Sequence, residues 1–195
     1  MNISKALQED LQQPGNWLRN YYFARAAFSM IWVATAFAIG DTIAMAALIL
    51  ALVYPAWDGC ANMVDAVQSG GLRKNPTQLL NVVASFITTA AVAIASPHGM
   101  NAVVIVLGVW AFLSGLFQLM TGVRRWRRYG AQWPMILSGA QSALAGVLFI
   151  KRSSGGAMQS ITAIAPYAAF GAFYFLLSGI SLTLASRRRQ KTSPI

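Results

Sequence analysis

Three polar residues of one hydrophobic segment have the types and the spacing to form a charged site inside a membrane. Asp58, Asn62 and Asp65 follow one another at intervals of four and three positions, so they share one face of an α-helix. Carboxylates inside a membrane are rare, and they either pair with a cation or help to move protons and ions. The segment therefore predicts an intramembrane polar site that is structural or part of a transport route.

Arg25 is the predicted partner of Asp58. The two residues are nearly equidistant along the chain from Asp41, so a helical hairpin that turns near Asp41 brings them to the same level. At 1.5 Å per residue this level is roughly 24 to 26 Å from the turn, near the inner edge of a hydrocarbon core about 30 Å thick. We expect an ion pair that locks the hairpin, with Asp65 reaching the lipid headgroups or the basic inner surface.

Gln118 and other uncharged polar residues extend this candidate site. They are predicted to form hydrogen bonds between helices, each worth about 0.6 kcal/mol, or to line a narrow path for a small neutral solute. Nothing ionisable continues through the middle of the membrane, which favours a structural role over a proton or ion route. These residues are Thr35, Ser85, Thr88, Thr89, Ser114, Gln118, Gln141 and Ser142.

Residue types that support most catalytic and metal sites are scarce. The chain has one cysteine, Cys60, and one histidine, His98, and it lacks a glycine-rich phosphate loop with a lysine. The sequence therefore predicts no catalytic residue, no cofactor and no metal site. His98 is predicted to be a solvated turn residue, and the alternative is a pH-sensitive contact.

Composition places these residues in a membrane protein. The chain is 56% hydrophobic and only 10% charged over 195 residues, and each of its apolar runs is near the roughly 20 residues that a spanning helix needs. The sequence predicts an all-α membrane protein with six transmembrane helices, arranged as three repeated helical hairpins. The predicted spans are residues 22–40, 42–64, 79–96, 101–123, 133–150 and 160–186.

The distribution of basic residues predicts the orientation. Most Lys and Arg flank the apolar runs on one side, and the turns after the first and third runs have none, so both termini are expected to be cytoplasmic. Residues 1–20 are expected to form a cytoplasmic segment, either an amphipathic surface helix or a frayed terminus, without a cleavable signal. The six-helix domain is expected to span residues 21–186, followed by a basic cytoplasmic tail at 187–195.

A basic cluster after the fourth run predicts contact with anionic lipids. Arg124, Arg125, Arg127 and Arg128 alternate with Trp126 and Tyr129, and Trp133 follows. Aromatic side chains concentrate at membrane interfaces, and each cytoplasmic Lys or Arg attracts anionic lipid by about 1 kcal/mol. Lipid is therefore the predicted partner in preference to nucleic acid, and a homo-oligomer or another membrane protein is a further possible partner.

Small residues predict how the helices pack. When Gly59, Gly115 and Gly179 are aligned, Tyr54, Trp110 and Tyr174 each precede the glycine by five residues, which indicates a threefold internal repeat. Gly139 and Gly146 belong to a further stripe of small residues. These five glycines are predicted to lie at helix contacts, since small residues allow helices to approach closely in lipid.

Residues 108–150, GVWAFLSGLFQLMTGVRRWRRYGAQWPMILSGAQSALAGVLFI, resemble the HdeD-like acid-resistance membrane protein family, which is built from short two-helix repeats. The resemblance includes Gly115 followed by Gln118, the basic turn and the SGAQSALAG segment, and it extends more weakly over residues 22–186. It implies a multi-pass protein of the bacterial inner membrane associated with acid stress. No functional residue is carried over, and Asp58 and Asp65 depart from the serine-rich pattern at Ser114 and Ser178.

Two functions remain open from the sequence. The first is a non-enzymatic inner-membrane protein that contributes to acid or envelope stress tolerance. The second is a small-solute or proton-coupled transporter that uses Asp58 and the polar helix interior. A polar cavity that reaches the middle of the membrane from Asp58 would favour the second function, whereas a dry and closely packed interior would favour the first.

Overall fold

Six long helices form the described part of the protein. In a computed structural model the described residues are 14–129, 132–156 and 158–192, and they contain no strand. All six helices are long and apolar enough to cross a membrane, which confirms the predicted all-α multi-pass fold. They are α1 (Pro14–Thr35, continued by a π-helical turn Ala36–Gly40), α2 (Ala44–Gln68), α3 (Pro76–Ala95), α4 (Met100–Tyr129), α5 (Trp133–Ser154) and α6 (Ala165–Thr192), which a 3-10 turn Ile161–Ile164 precedes.

Two predictions at the chain ends stay predictions, and a third can be compared with the structure. The orientation of the termini stays a prediction. The proposed surface helix before residue 14 lies outside the described residues. The tail that we expected from residue 187 continues α6 as helix up to Thr192.

The turn between α2 and α3 shows how the sequence ends one helix and begins the next. Gly71 has a φ of 97°, a conformation that glycine adopts without strain. Asn75 Nδ2 donates hydrogen bonds to the carbonyl oxygens of Ala66, Ser69 and Gly71 at 3.3, 3.1 and 2.9 Å, and so satisfies acceptors at the end of α2. Pro76 then begins α3, at a position where its missing N–H is not needed.

Each even-numbered helix packs most extensively against an odd-numbered helix: α2 against α3, α4 against α5, and α6 against α1. The aligned glycines lie in these contacts. Gly59 faces Phe86 of α3, Gly115 faces α5, and Gly179 faces Phe23 of α1. By contrast, the backbones of α1 and α2, the first predicted hairpin, approach each other at few points, and large side chains bridge them, as where Phe28 stacks on Trp57. The threefold repetition of hairpins itself stays a prediction.

The α4–α5 contact is the closest in the bundle because backbone faces backbone. A Cβ atom added to Gly139 would lie 2.6 Å from the backbone nitrogen of Leu119 and 2.7 Å from the carbonyl oxygen of Gly115. One added to Gly146 would overlap the backbone of Gly108 and Phe112. Glycine is therefore required where these two helices cross, as expected for association in lipid.

Two apolar clusters form the core of the bundle. One cluster lies toward the turn between α1 and α2, and the other lies toward the start of α1 and includes Ala26. Arg25 is therefore flanked along α1 by buried apolar residues of the second cluster. The first cluster includes Trp32, Leu50, Val104, Phe149 and Ile164, and the second includes Leu18, Tyr22, Met135, Phe175 and Leu182.

Replacing Gly115 or Gly139 by alanine should destabilise the protein. The added methyl group would overlap the facing backbone, and overpacking of this kind costs about 1–3 kcal/mol. Gly171→Ala is the matched control, because the nearest atom to an added Cβ is the Tyr54 hydroxyl oxygen at 3.7 Å. Unfolding in detergent measures the difference. Equal stability of Gly115→Ala and Gly171→Ala would contradict the close approach of α4 and α5.

Candidate functional site

Asp58 of α2 and Arg25 of α1 form an ion pair between Oδ1 and Nη2. This is the contact that the sequence predicts. The side chains of Asp58 and Arg25 are only 8% and 12% exposed, so both charges are largely buried inside the bundle. Burying two charges costs more than their attraction returns unless further hydrogen bonds satisfy them.

The second carboxylate oxygen of Asp58 is bound by α3. Asn81 Nδ2 and Ser85 Oγ donate hydrogen bonds to Oδ2 at 2.9 and 3.0 Å. In turn Trp110 Nε1 of α4 donates to Ser85 Oγ at 2.9 Å, and Ser114 Oγ of α4 donates to Asn81 Oδ1. Both oxygens of the carboxylate are therefore satisfied, and α4 fixes the two residues that bind the second oxygen.

Arg25 is held by α1 and α6. Its Nη1 donates a hydrogen bond to the Tyr21 hydroxyl at 3.0 Å, and its guanidinium carbon lies 4.2 Å from the ring centroid of Phe175, within the range of a cation–π interaction. Five of the six helices thus contribute to one network. We name the part of it on α1 to α4 the Asp58 centre, consisting of Arg25, Asp58, Asn81, Ser85, Trp110 and Ser114.

A second ion pair corrects the prediction for Arg125. Arg125 Nη2 lies 2.6 Å from Asp65 Oδ1 and donates to Ser69 Oγ at 2.8 Å, and both charged side chains are buried. Arg125 is therefore bound inside the bundle instead of facing lipid. Of the two contacts expected for Asp65, the structure shows the one with the basic cluster, through Arg125. The physical reason is that α4 remains helical through the basic cluster, so successive arginines point in different directions.

The other members of the basic cluster differ from Arg125. Arg124 is exposed, and its Nη2 donates to Gln78 Oε1 at 2.7 Å and to Asn75 Oδ1 at 3.1 Å, so it also holds α3. The neighbouring Trp126 is 47% exposed, as expected for an interfacial side chain. The side chains of Arg127 and Arg128 lie outside the described residues.

Asn62 and Gln118 do not bind the carboxylate of Asp58. Asn62 Nδ2 donates to the main-chain oxygen of Asp58 at 2.8 Å, a bond within α2. Gln118 Nε2 lies 3.8 Å from Met135 Sδ, and its side chain lines a cavity beside the Asp58 centre. Asn62 thus supports the helix that carries Asp58, and Gln118 contributes to the surroundings of the centre.

The cavity beside the Asp58 centre is narrow and polar, with a volume of about 30 Å³. A water molecule needs roughly 10–15 Å³ measured in this way, so about two fit. Ser138 and Gln141 of α5 line this cavity, and their side chains have no hydrogen bond to another described residue. Polar groups of this kind in a membrane interior are suited to hold water or a small hydrogen-bonding molecule.

Sequence reasoning missed Asn81 and Trp110 as partners of this site. Asn81 and Ser85 are four residues apart on α3, and Trp110 and Ser114 are four residues apart on α4, so each pair forms a stripe on one helix face. The aligned repeat also contained a signal, since Asp58 and Ser114 both directly precede an aligned glycine. Asp58 and Ser114, which occupy equivalent positions in the alignment, both form a hydrogen bond with Asn81.

The Arg25–Asp58 contact predicts strong coupling in a double-mutant cycle. Arg25→Ala or Asp58→Ala alone leaves an uncompensated buried charge, which typically costs about 3–5 kcal/mol, whereas the double variant should lose much less than the sum. Unfolding in detergent measures the coupling. Arg25→Ala combined with Asp41→Ala is the control, because Asp41 lies in the exposed α1–α2 turn and should give additive losses. Additivity for Arg25 and Asp58 would contradict the ion pair.

Comparison with known proteins gives one match. The model of a family described as a short repeat of unknown function (DUF308) matches residues 80–151, and HdeD-like membrane proteins belong to that family. No curated protein and no solved structure matches the chain. The matched region covers α4 and most of α3 and α5. It therefore includes four members of the Asp58 centre, Asn81, Ser85, Trp110 and Ser114, but neither Arg25 nor Asp58.

Proposed function

We propose that this protein is a non-enzymatic protein of the bacterial inner membrane that contributes to acid or envelope stress tolerance. The resemblance of residues 108–150 to HdeD-like proteins and the family match over residues 80–151 support this proposal. The single observation that carries it is the Asp58 centre, in which the charges of Arg25 and Asp58 serve to hold helices together.

The chemistry of the buried charges supports a structural role over an enzymatic one. Asp58 and Asp65 are each bound to an arginine and to further side chains. Neither carboxylate is therefore placed as a free base or nucleophile. A bundle whose charges are mutually neutralised can keep its packing under envelope stress, because no isolated buried charge favours an opened state.

Deletion of the gene should lower survival at acid external pH in a bacterial host. Reintroduced wild-type protein and Asp41→Asn should restore survival, whereas Asp58→Asn should restore it incompletely because it removes the negative charge that neutralises Arg25. Asp41→Asn is the matched control, since it makes the same chemical change in the exposed turn. Membrane abundance of each variant is measured by immunoblot. Equal survival of the deletion and parent strains across the pH series would contradict the proposal.

The polar cavity favours a second candidate function, the passage of a small uncharged solute with Asp58 as the site of any coupling to protons. The cavity is lined by residues of α1, α2, α4, α5 and α6. Counted from the turns at 1.5 Å per residue, some of these lining residues lie midway along their helices, in the middle of the bundle. This is the polar interior that would favour transport, although its volume of about 30 Å³ admits only molecules near the size of water.

Solute flux tests this second function directly. Proteoliposomes with the wild-type protein should take up hydrogen peroxide or ammonia, two uncharged solutes near the size of water, faster than protein-free vesicles. Gln141→Leu, which replaces a polar cavity residue by an apolar one, should remove the difference. Leu144→Ala is the control, because Leu144 is exposed on the same helix outside the cavity. Flux equal to that of protein-free vesicles for both solutes would exclude transport of this class.

A further inference from the structure

A groove runs between α1 and α2 on the side of the bundle. Its volume is about 350 Å³, and it exists because these two helices, although consecutive in the chain, pack mainly against α6 and α3 respectively. Its walls are helical stripes that include Trp17, Asn20 and Ala24 on α1, and Trp57, Cys60 and Gln68 on α2. The groove lies within two membrane-spanning helices, so a membrane component can enter it sideways.

The chemistry of the groove changes along its length. Its lining is mainly apolar, with a tryptophan on each helix, and it ends at Arg25, whose charge is neutralised by Asp58. At the other end, where α1 begins and α2 finishes, Asn20 and Gln68 expose their amide groups. A molecule that matches this pattern is apolar over most of its length and polar at one end.

The shape of the groove suits a flexible hydrocarbon chain. The groove extends about 12 Å along α1 from Trp17 to Arg25, at 1.5 Å per residue. Its walls carry large side chains, such as Trp17 and Trp57, beside the small side chains of Ala24 and Ala61, so they are uneven. A flexible chain can follow such walls more closely than a rigid helix about 10–12 Å wide.

The charge around the polar end of the groove favours a negative headgroup. Five basic residues lie at this end of the bundle and form no ion pair with another described residue. They are Arg19, Arg73, Lys74, Arg124 and Arg187. The described acidic groups do not offset them. Asp58 and Asp65 are already paired, and Asp41 lies in the turn at the opposite end.

We propose that the α1–α2 groove binds one anionic phospholipid. One of its acyl chains lies along the apolar walls, and its phosphate faces the basic end near Arg19. This binding site differs from general attraction between cations and a membrane surface, because the groove sets the number of lipids and fixes the position of the chain. It is also independent of the proposed role in stress tolerance.

Cys60 provides a direct measurement of occupancy. It is the only cysteine in the chain, it is exposed, and it lies on the groove wall. In purified protein, phosphatidylglycerol in mixed micelles should slow the modification of Cys60 by a maleimide more than phosphatidylcholine with the same acyl chains. Arg19→Gln should raise the phosphatidylglycerol concentration that gives half protection about fivefold, the effect of losing one cation near the surface.

A matched pair of variants locates the site. Ala24→Phe should fill the groove, slow the labelling of Cys60 without lipid and remove the difference between the two lipids. Ala27→Phe should retain that difference, since Ala27 is exposed on the same helix but does not line the groove. Thermal unfolding shows whether both variants are folded.

Three results would overturn the proposal. Equal protection by the two lipids would exclude recognition of the negative headgroup. Protection that follows protein concentration instead of lipid concentration would identify a second copy of the chain as the occupant. A lipid difference that persists in folded Ala24→Phe protein would place the binding site outside the groove.

Discussion

A carboxylate inside an apolar bundle must be neutralised and hydrogen-bonded, and this requirement at Asp58 constrains the arrangement of five helices. One arginine satisfies one oxygen of the carboxylate, so α3 must supply donors to the other. The donors Asn81 and Ser85 are themselves polar groups that need partners, and α4 supplies them through Ser114 and Trp110. The cost of one buried charge thus propagates from α2 to α3 and α4.

The same requirement explains why α1 and α2 can remain apart. The Arg25–Asp58 pair joins them at one level, while their main packing surfaces face α6 and α3. A long arginine side chain can bridge the gap between the two backbones. Beyond this pair, toward the α1–α2 turn, Phe28 stacks on Trp57 and Trp32 Nε1 donates to the Leu50 carbonyl oxygen, so large side chains also bridge the two backbones. The groove lies on the other side of the pair, where the lining side chains of α1 and α2 leave a space between the helices.

The parts of the structure that could be predicted from sequence are those governed by regular helix geometry. Arg25 and Asp58 meet because two rigid helices rise equally from one turn. The aligned glycines lie at helix contacts because only a small residue allows such a close approach. The pattern of four arginines predicts one basic surface, but a helix turns about 100° per residue. Arg125 therefore points in a different direction from its neighbours and contacts Asp65. The cavity and the groove could not be predicted, since they depend on side-chain volumes and on helix separations that no spacing encodes.

Two modes of helix association divide the bundle, and they follow from the absence of a hydrophobic drive within lipid. Between α4 and α5 the helices approach until backbones touch at Gly115, Gly139 and Gly146, and a hydrogen bond from Ser142 Oγ to the Ala111 carbonyl oxygen adds to the dispersion of this contact. Around α1, α2 and α3 the backbones are less close, and the ion pair and hydrogen bonds of Asp58 help to hold these helices together. The family match covers α4 and most of α5, whose backbones touch. Of the polar network around Asp58 it covers only the residues of α3 and α4. Arg25 and Asp58 therefore add a charged centre to a hairpin framework that, between α4 and α5, is held without charges.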